Sequence, residues 1–169
     1  FAWPSGDMFV GLENYINGIK TSGFLMAFIR SVWTSVMGVG VIILCTSMTA
    51  WFIVRGKNKF TKALYYIFVF SMIVPFQMVM YTLTFVVTTM YFDNVFFFLL
   101  VYLGFGAGLS VFMFCGFIKS IPLEVEEAAT IDGCNPLQTY FLIVFPMLKP
   151  TAITVAILQA MWIWNDYLL

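Results

Sequence analysis

The sequence predicts an all-α membrane protein, a helical bundle of about four spans interrupted by one polar hairpin. Three observations carry that prediction. Hydrophobic residues make up 62% of the 169 positions and charged residues 9%, more apolar surface than a soluble domain of this size needs. The apolar residues gather in long runs: Ser31 to Val54, Ala63 to Phe92 and Val95 to Ile118 carry no charge, and Thr151 to Leu169 carries Asp166 alone. Basic residues collect between the runs, with Arg55, Lys57, Lys59 and Lys62 in one short loop.

Composition also narrows function. A net charge of zero and the lack of a long basic run give no reason to expect a nucleic-acid partner. Without histidine, the commonest metal ligand and general base is missing. Cys45, Cys115 and Cys134 are too scattered for a disulfide framework or a zinc site and read as packing residues, so no metal is expected. The chain opens on Phe1 and stops inside an apolar run, so both ends look cut.

In chain order, residues 1 to 30 form a connecting segment and 31 to 169 the membrane domain. Phe9, Leu12, Ile16 and Ile19 recur at helical spacing after Ser5-Gly6-Asp7, which fits a short amphipathic helix on the membrane surface or against neighbouring spans. An ordinary loop fits them equally well. Ser31 to Val54 reaches about 36 Å as a helix, enough for a first complete span. Arg55 to Lys62 then faces the cytoplasm by the positive-inside rule, whereas the connection at Asp93-Asn94 carries only negative charge.

Ala63 to Phe92 is long enough for a tilted or kinked helix, and Pro75 removes a backbone hydrogen bond in mid-span. The nearby amide of Gln77 either faces a translocation path or bonds a neighbouring helix, the second being the simpler reading. Val95 to Ile118 makes the third span. Gly104 and Gly108, with Gly106, Ala107 and Ser110, permit close helix contact inside a bundle. By parity this span returns to the cytoplasm and delivers residues 119 to 150 there.

Those residues form the polar hairpin. Pro122 suits the first turn of a helix, and Glu124, Glu126 and Glu127 follow where a helix N-terminus favours negative charge. The helix runs through Val125, Ala128, Ala129 and Ile131 and breaks at Asp132-Gly133, since glycine takes a left-handed conformation at little cost. Asn135 is a good N-cap and Pro136 a good first residue for a second helix, which should run to about Phe145 before Pro146 and Pro150 interrupt it. Ala128 and Ala129 leave one face flat for a close-approaching surface, and Glu127 offers an ion-pairing handle. That chemistry suits a protein partner. In the last span, Asp166 either faces a cavity or an interhelical partner, with Asn165 alongside, or marks the helix end near the outer interface where Trp162 and Trp164 are favoured.

Glu127-Ala128-Ala129 is followed by three residues, Gly133, nine residues, Ile143, one residue and Phe145-Pro146. This resembles the EAA motif of the permease subunits of ATP-binding-cassette importers, with Phe145 where that family usually has leucine. Trp164-Asn165-Asp166-Tyr167-Leu168 looks like the stretch after the EAA loop in carbohydrate-importer permeases of the maltose-transporter type, and Gly11 to Tyr15 like a segment that follows the family's first membrane helix on the outer side. The resemblance implies a type I importer-permease bundle in a bacterial-type plasma membrane. It implies a second permease, cytoplasmic ATPase subunits that bind the ATP, and an extracytoplasmic solute-binding protein. Glu127, Ala128, Ala129, Asp132, Gly133, Ile143 and Pro146 would form the ATPase-docking element, with Glu127 pairing to a basic residue and Gly133 allowing the tight turn. No Gly-x-x-x-x-Gly-Lys-Ser/Thr loop is present, so the chain is expected to be a non-catalytic transport subunit without a cofactor of its own.

Other classes fit less well. A channel or secondary transporter predicts more ionisable groups within the spans or a repeated pair of broken helices. A membrane enzyme needs a nucleophile–base or metal constellation. A permease of the same superfamily for amino acids, peptides or phosphate is the nearer rival.

Overall fold

The computed structural model describes residues 12–89 and 95–166. The chain divides into two compact units, residues 1–33 and 34–169. In the first, α1 (Glu13–Thr21) follows Leu12 and buries none of its residues. Leu12, Tyr15, Ile16 and Ile19 are all exposed at helical spacing, an amphipathic helix rather than a loop. Phe9 and Ser5-Gly6-Asp7 lie outside the described residues.

Gly23, at a φ of 63°, turns the chain into α2 (Phe24–Arg55). The helix begins earlier than Ser31 because Phe24-Leu25-Met26-Ala27-Phe28-Ile29 has no breaker, and one arginine at position 30 does not stop a helix. In the second unit Gly38, Ile42, Thr46, Ala50 and Ile53 are buried three or four residues apart, one stripe of α2 turned into the bundle.

The Asn58 side chain caps α3 (Lys59–Ser71) by accepting from the Thr61 amide at 2.8 Å. This cap starts the helix within the basic loop instead of at Ala63. A single kinked helix over residues 63 to 92 does not form. The chain breaks between Ser71 and Phe76, and α4 (Phe76–Thr89) leaves at 92° to α3. Pro75 donates no hydrogen bond and biases Val74 away from the helical region, so α3 stops and α4 starts anew. Tyr91, Phe92 and Asp93-Asn94 lie outside the described residues.

The third apolar run is α5 (Val95–Ile118), as expected. It packs on α3 and on α9 (Lys149–Trp164). The glycines of α5 divide the work unevenly. A Cβ on Gly108 would lie 2.9 Å from the Phe68 carbonyl oxygen on α3, and one on Gly106 would lie 2.9 Å from Ile42 Cδ1, whereas nothing approaches Gly104 within 4 Å. Close contact therefore runs through Gly106 and Gly108.

Between α5 and α9 come α6 (Leu123–Ile131), α7 (Pro136–Thr139), a π-helical turn (Tyr140–Val144) and α8 (Phe145–Met147). Pro146 does not interrupt this arm. In the wider turn Phe145 donates to the Tyr140 carbonyl five residues back, and the proline follows inside that loosened ladder. The real break is at Leu148, where the path bends by 74° into α9 with Pro150 in its first turn.

The main core joins Ala50 and Ile53 of α2, Val111, Phe114 and Ile118 of α5, and Tyr140, Val144 and Leu148 of the hairpin arm. Among the described residues two helices, Phe24–Arg55 and Phe96–Ile118, are each long and apolar enough to cross a membrane, and there are up to four crossings if each bent pair is one.

Candidate functional site

The hairpin is built by local chemistry. Pro122 sits at the N-cap of α6, one position outside the helix, with Glu124 and Glu126 in the first turn. At the other end the Cys134 amide donates to Ala129 and the Gly133 amide to Thr130, a Schellman closure. Gly133 adopts a φ of 88°, with no atom near enough to crowd a Cβ, so backbone conformation and not space selects glycine. Asn135 and Gln138 complete a capping box at the start of α7, each side chain accepting from the other's amide at 2.9 Å.

Two anchors fix this hairpin to α2. The first is Glu126, buried at 7% exposure. Arg55 Nη2 and Nε donate to its Oε1 at 2.6 and 2.9 Å, and Trp51 Nε1 donates to Oε2 at 3.0 Å. Arg55 Nη2 also reaches the Ile121 carbonyl at 3.1 Å, so the guanidinium ties both the side chain and the approach to α6. The second anchor is Tyr140, fully buried in the π-helical turn, whose hydroxyl shares a hydrogen bond of 2.6 Å with Ser47 Oγ while its ring lies 5.4 Å from that of Trp51. Residues 55 and 126 thus lie at one end of the bundle.

The sequence-selected residues fall into two groups. Glu127, Ala128, Asp132 and Gly133 are exposed around the tip, whereas Ala129 is buried within the hairpin. Ile143 and Pro146 are half-buried on the other arm, away from that exposed turn. Beside the turn, Ile131 is 86% exposed and Leu137 59%, large apolar side chains on a polar element. Sequence reasoning missed Ile131, Glu126, Arg55, Trp51 and Tyr140 as site residues. A signal existed: Glu126 shares a helix face with Ala129 at a spacing of three, and Arg55 is the one arginine among the lysines of its loop, the residue able to donate from several nitrogens at once.

Apart from Ser35, whose buried hydroxyl has no hydrogen-bond partner among the described residues, the polar groups inside the bundle find partners. Gln159 of α9 is buried and its Nε2 donates to the Gly106 carbonyl at 3.2 Å and to Ser110 Oγ at 3.1 Å. α9 ends at Trp164, and Asp166 just beyond it accepts from the Tyr102 hydroxyl at 3.1 Å, so this acid is both past a helix end and bonded across helices. Gln77 is exposed and makes no hydrogen bond among the described residues, contrary to the simpler expectation that a neighbouring helix would satisfy it.

The described residues form helices, two of them long and apolar enough to cross a membrane, with an exposed hairpin clamped to one of these, and no group of His, Cys, Asp or Glu among them is placed to hold a metal. The chain belongs to the family of binding-protein-dependent transport system inner membrane components, whose family model matches residues 42–169, and it has the type I importer-permease fold of a multi-pass plasma-membrane protein. It is 40% identical over 94% of its length to a probable starch degradation products transport system permease of Thermoanaerobacterium thermosulfurigenes. It is 33% identical over its whole length to a multiple sugar-binding transport system permease of Streptococcus mutans, and 31% identical over 94% to a melibiose/raffinose/stachyose import permease of Bacillus subtilis. The chain spans 58%, 61% and 58% of the length of these three relatives.

Proposed function

We propose that this chain is part of the permease subunit of an ATP-driven importer for sugars or oligosaccharides. The observation that carries the reading is the family membership together with relatives whose names specify starch products, multiple sugars and raffinose-type oligosaccharides. It forms the translocation path with a second permease and receives cargo from an extracytoplasmic binding protein. ATP is bound and hydrolysed on separate cytoplasmic subunits. Residues 55–62 and 119–150 lie on that cytoplasmic side.

In this reading the exposed turn with Glu127, Ala128, Ile131, Asp132 and Gly133 enters a cleft of the ATPase. Ile131 supplies apolar contact area and Glu127 a polar edge, while Ile143 and Pro146 shape the supporting arm. When ATP closes the ATPase pair, the hairpin moves with it. Arg55–Glu126 and Ser47–Tyr140 then pass the displacement to α2 as a rigid lever. Rigid coupling matters because a loop free to swing would absorb the motion before it reached the membrane.

Purification of the tagged full-length protein from gently solubilised membranes tests this. A P-loop ATPase and a second permease are expected to co-purify, with ATPase activity stimulated by a sugar-loaded binding protein. Recovery of the protein alone, under conditions that preserve other importers, would overturn the reading.

A further inference from the structure

At the end of the bundle where α2 stops and α3 begins, a cavity of about 510 Å³ is lined by four lysines, Lys57, Lys59, Lys62 and Lys119. No acidic side chain lines it, and none of the four forms an ion pair among the described residues. Arg55, next in sequence, is already held by Glu126 and contributes nothing to it. Lys119 is held over the cavity by the Tyr65 ring, with Nζ 5.4 Å from its centroid. Four like charges around one concavity repel one another, and the positive end of the α3 dipole adds to the potential. The arrangement favours an anion.

The remaining walls say what kind. Ile53, Val54 and Cys115 form an apolar side, contributed by the last turns of two spanning helices, and Tyr66 stands 67% exposed at the rim. Lysines above an apolar wall, beside a tyrosine, at the depth where spanning helices end, match the boundary between lipid headgroups and acyl chains. We propose that this cavity is a binding site for the phosphodiester headgroup of an anionic phospholipid, whose glycerol backbone rests on Ile53 and Val54. Basic pockets between spanning helices recognise such headgroups. The site goes beyond the transport function and does not depend on which solute is carried.

The test uses the full-length protein in its assembled complex, delipidated in neutral detergent and titrated with phosphatidylglycerol or phosphatidylcholine under native mass spectrometry. Phosphatidylglycerol is expected to bind at least about tenfold more tightly, and the preference to vanish in the combined Lys59→Gln, Lys62→Gln, Lys119→Gln variant but persist in Lys20→Gln. Equal binding of the two lipids, or a preference that survives the triple substitution, would contradict the site. Complete displacement of phosphatidylglycerol by millimolar inorganic phosphate would also overturn it, because the occupant would then be a soluble anion. Should the triple variant fail to assemble, a diazirine-bearing phosphatidylglycerol on the wild-type protein decides: the expected label falls on the segment from Ile53 to Tyr66, and label confined to other segments refutes the proposal.

Discussion

Arg55 on α2 and Glu126 on α6, 71 positions apart in the chain, meet in a two-point ion pair at 2.6 and 2.9 Å. The pair is largely withdrawn from solvent, with side-chain exposures of 22% and 9%. A buried pair adds modest net stability, yet removing one partner leaves an uncompensated charge. Its value to this protein is positional. It fixes where the hairpin stands relative to α2.

Arg55→Ala should therefore destabilise the solubilised protein by about 3 kcal/mol, read as a lowered midpoint of thermal unfolding. Arg55→Lys should recover little, since a single ammonium cannot reproduce the fork that reaches Glu126 and the Ile121 carbonyl together. The double variant Arg55→Met/Glu126→Leu should be more stable than Arg55→Ala while uncoupling ATP hydrolysis from uptake. Full uptake by the double variant would refute the lever role.

Tyr140 separates hydrogen bonding from packing. Tyr140→Phe loses the bond to Ser47, whose hydroxyl keeps its bond to the Ile43 carbonyl at 2.5 Å, so a cost of about 1 kcal/mol is expected. Tyr140→Ala also empties a fully buried site and should cost about 3–5 kcal/mol. Equal unfolding midpoints for the two variants would show that the ring is not packed as described.

The turn makes a sharper demand. At a φ of 88°, Gly133→Val should strain the backbone by about 1–3 kcal/mol and reduce ATPase co-purification, with Gly133→Asn between the two. Glu127→Ala should weaken association less, because an exposed ion pair contributes about 1 kcal/mol or below. A pull-down series across these three variants checks the order.

Inside the membrane, alanine at Gly104 should be neutral, whereas alanine at Gly108 meets the Phe68 backbone and at Gly106 meets Ile42 and the Gln159 amide. Overpacking of this kind costs about 1–3 kcal/mol. Thermal unfolding of the three single variants tests whether α5 contacts its neighbours through one glycine face.

What could be read from the sequence follows the range of the physics involved. The bounds of α5, the glycine turn at 133 and the cap at Asn135 depend on residues close in the chain, and each was legible. The 92° break at Pro75 was legible only as a kink, since a proline shows where a hydrogen bond is lost but packing decides how far the axis turns. Pro146 misled in the opposite sense, because the π-helical turn that absorbs it depends on Tyr140 and Val144 being buried against distant residues. Glu126 read as one more acid at a helix N-terminus. Its partner lies on another helix, and no local pattern pairs them.

That the exposed turn is the ATPase-docking surface can be probed directly by placing a photo-crosslinking benzoylphenylalanine at Ile131, the 86% exposed side chain beside Gly133, in the full-length importer. A control probe replaces Ile153, 61% exposed on α9. The expected result is a covalent adduct from position 131 to the ATPase subunit, stronger with ATP than without, and none from position 153. An intact complex that gives no ATPase adduct from position 131, or equal adducts from both positions, would contradict docking through the hairpin.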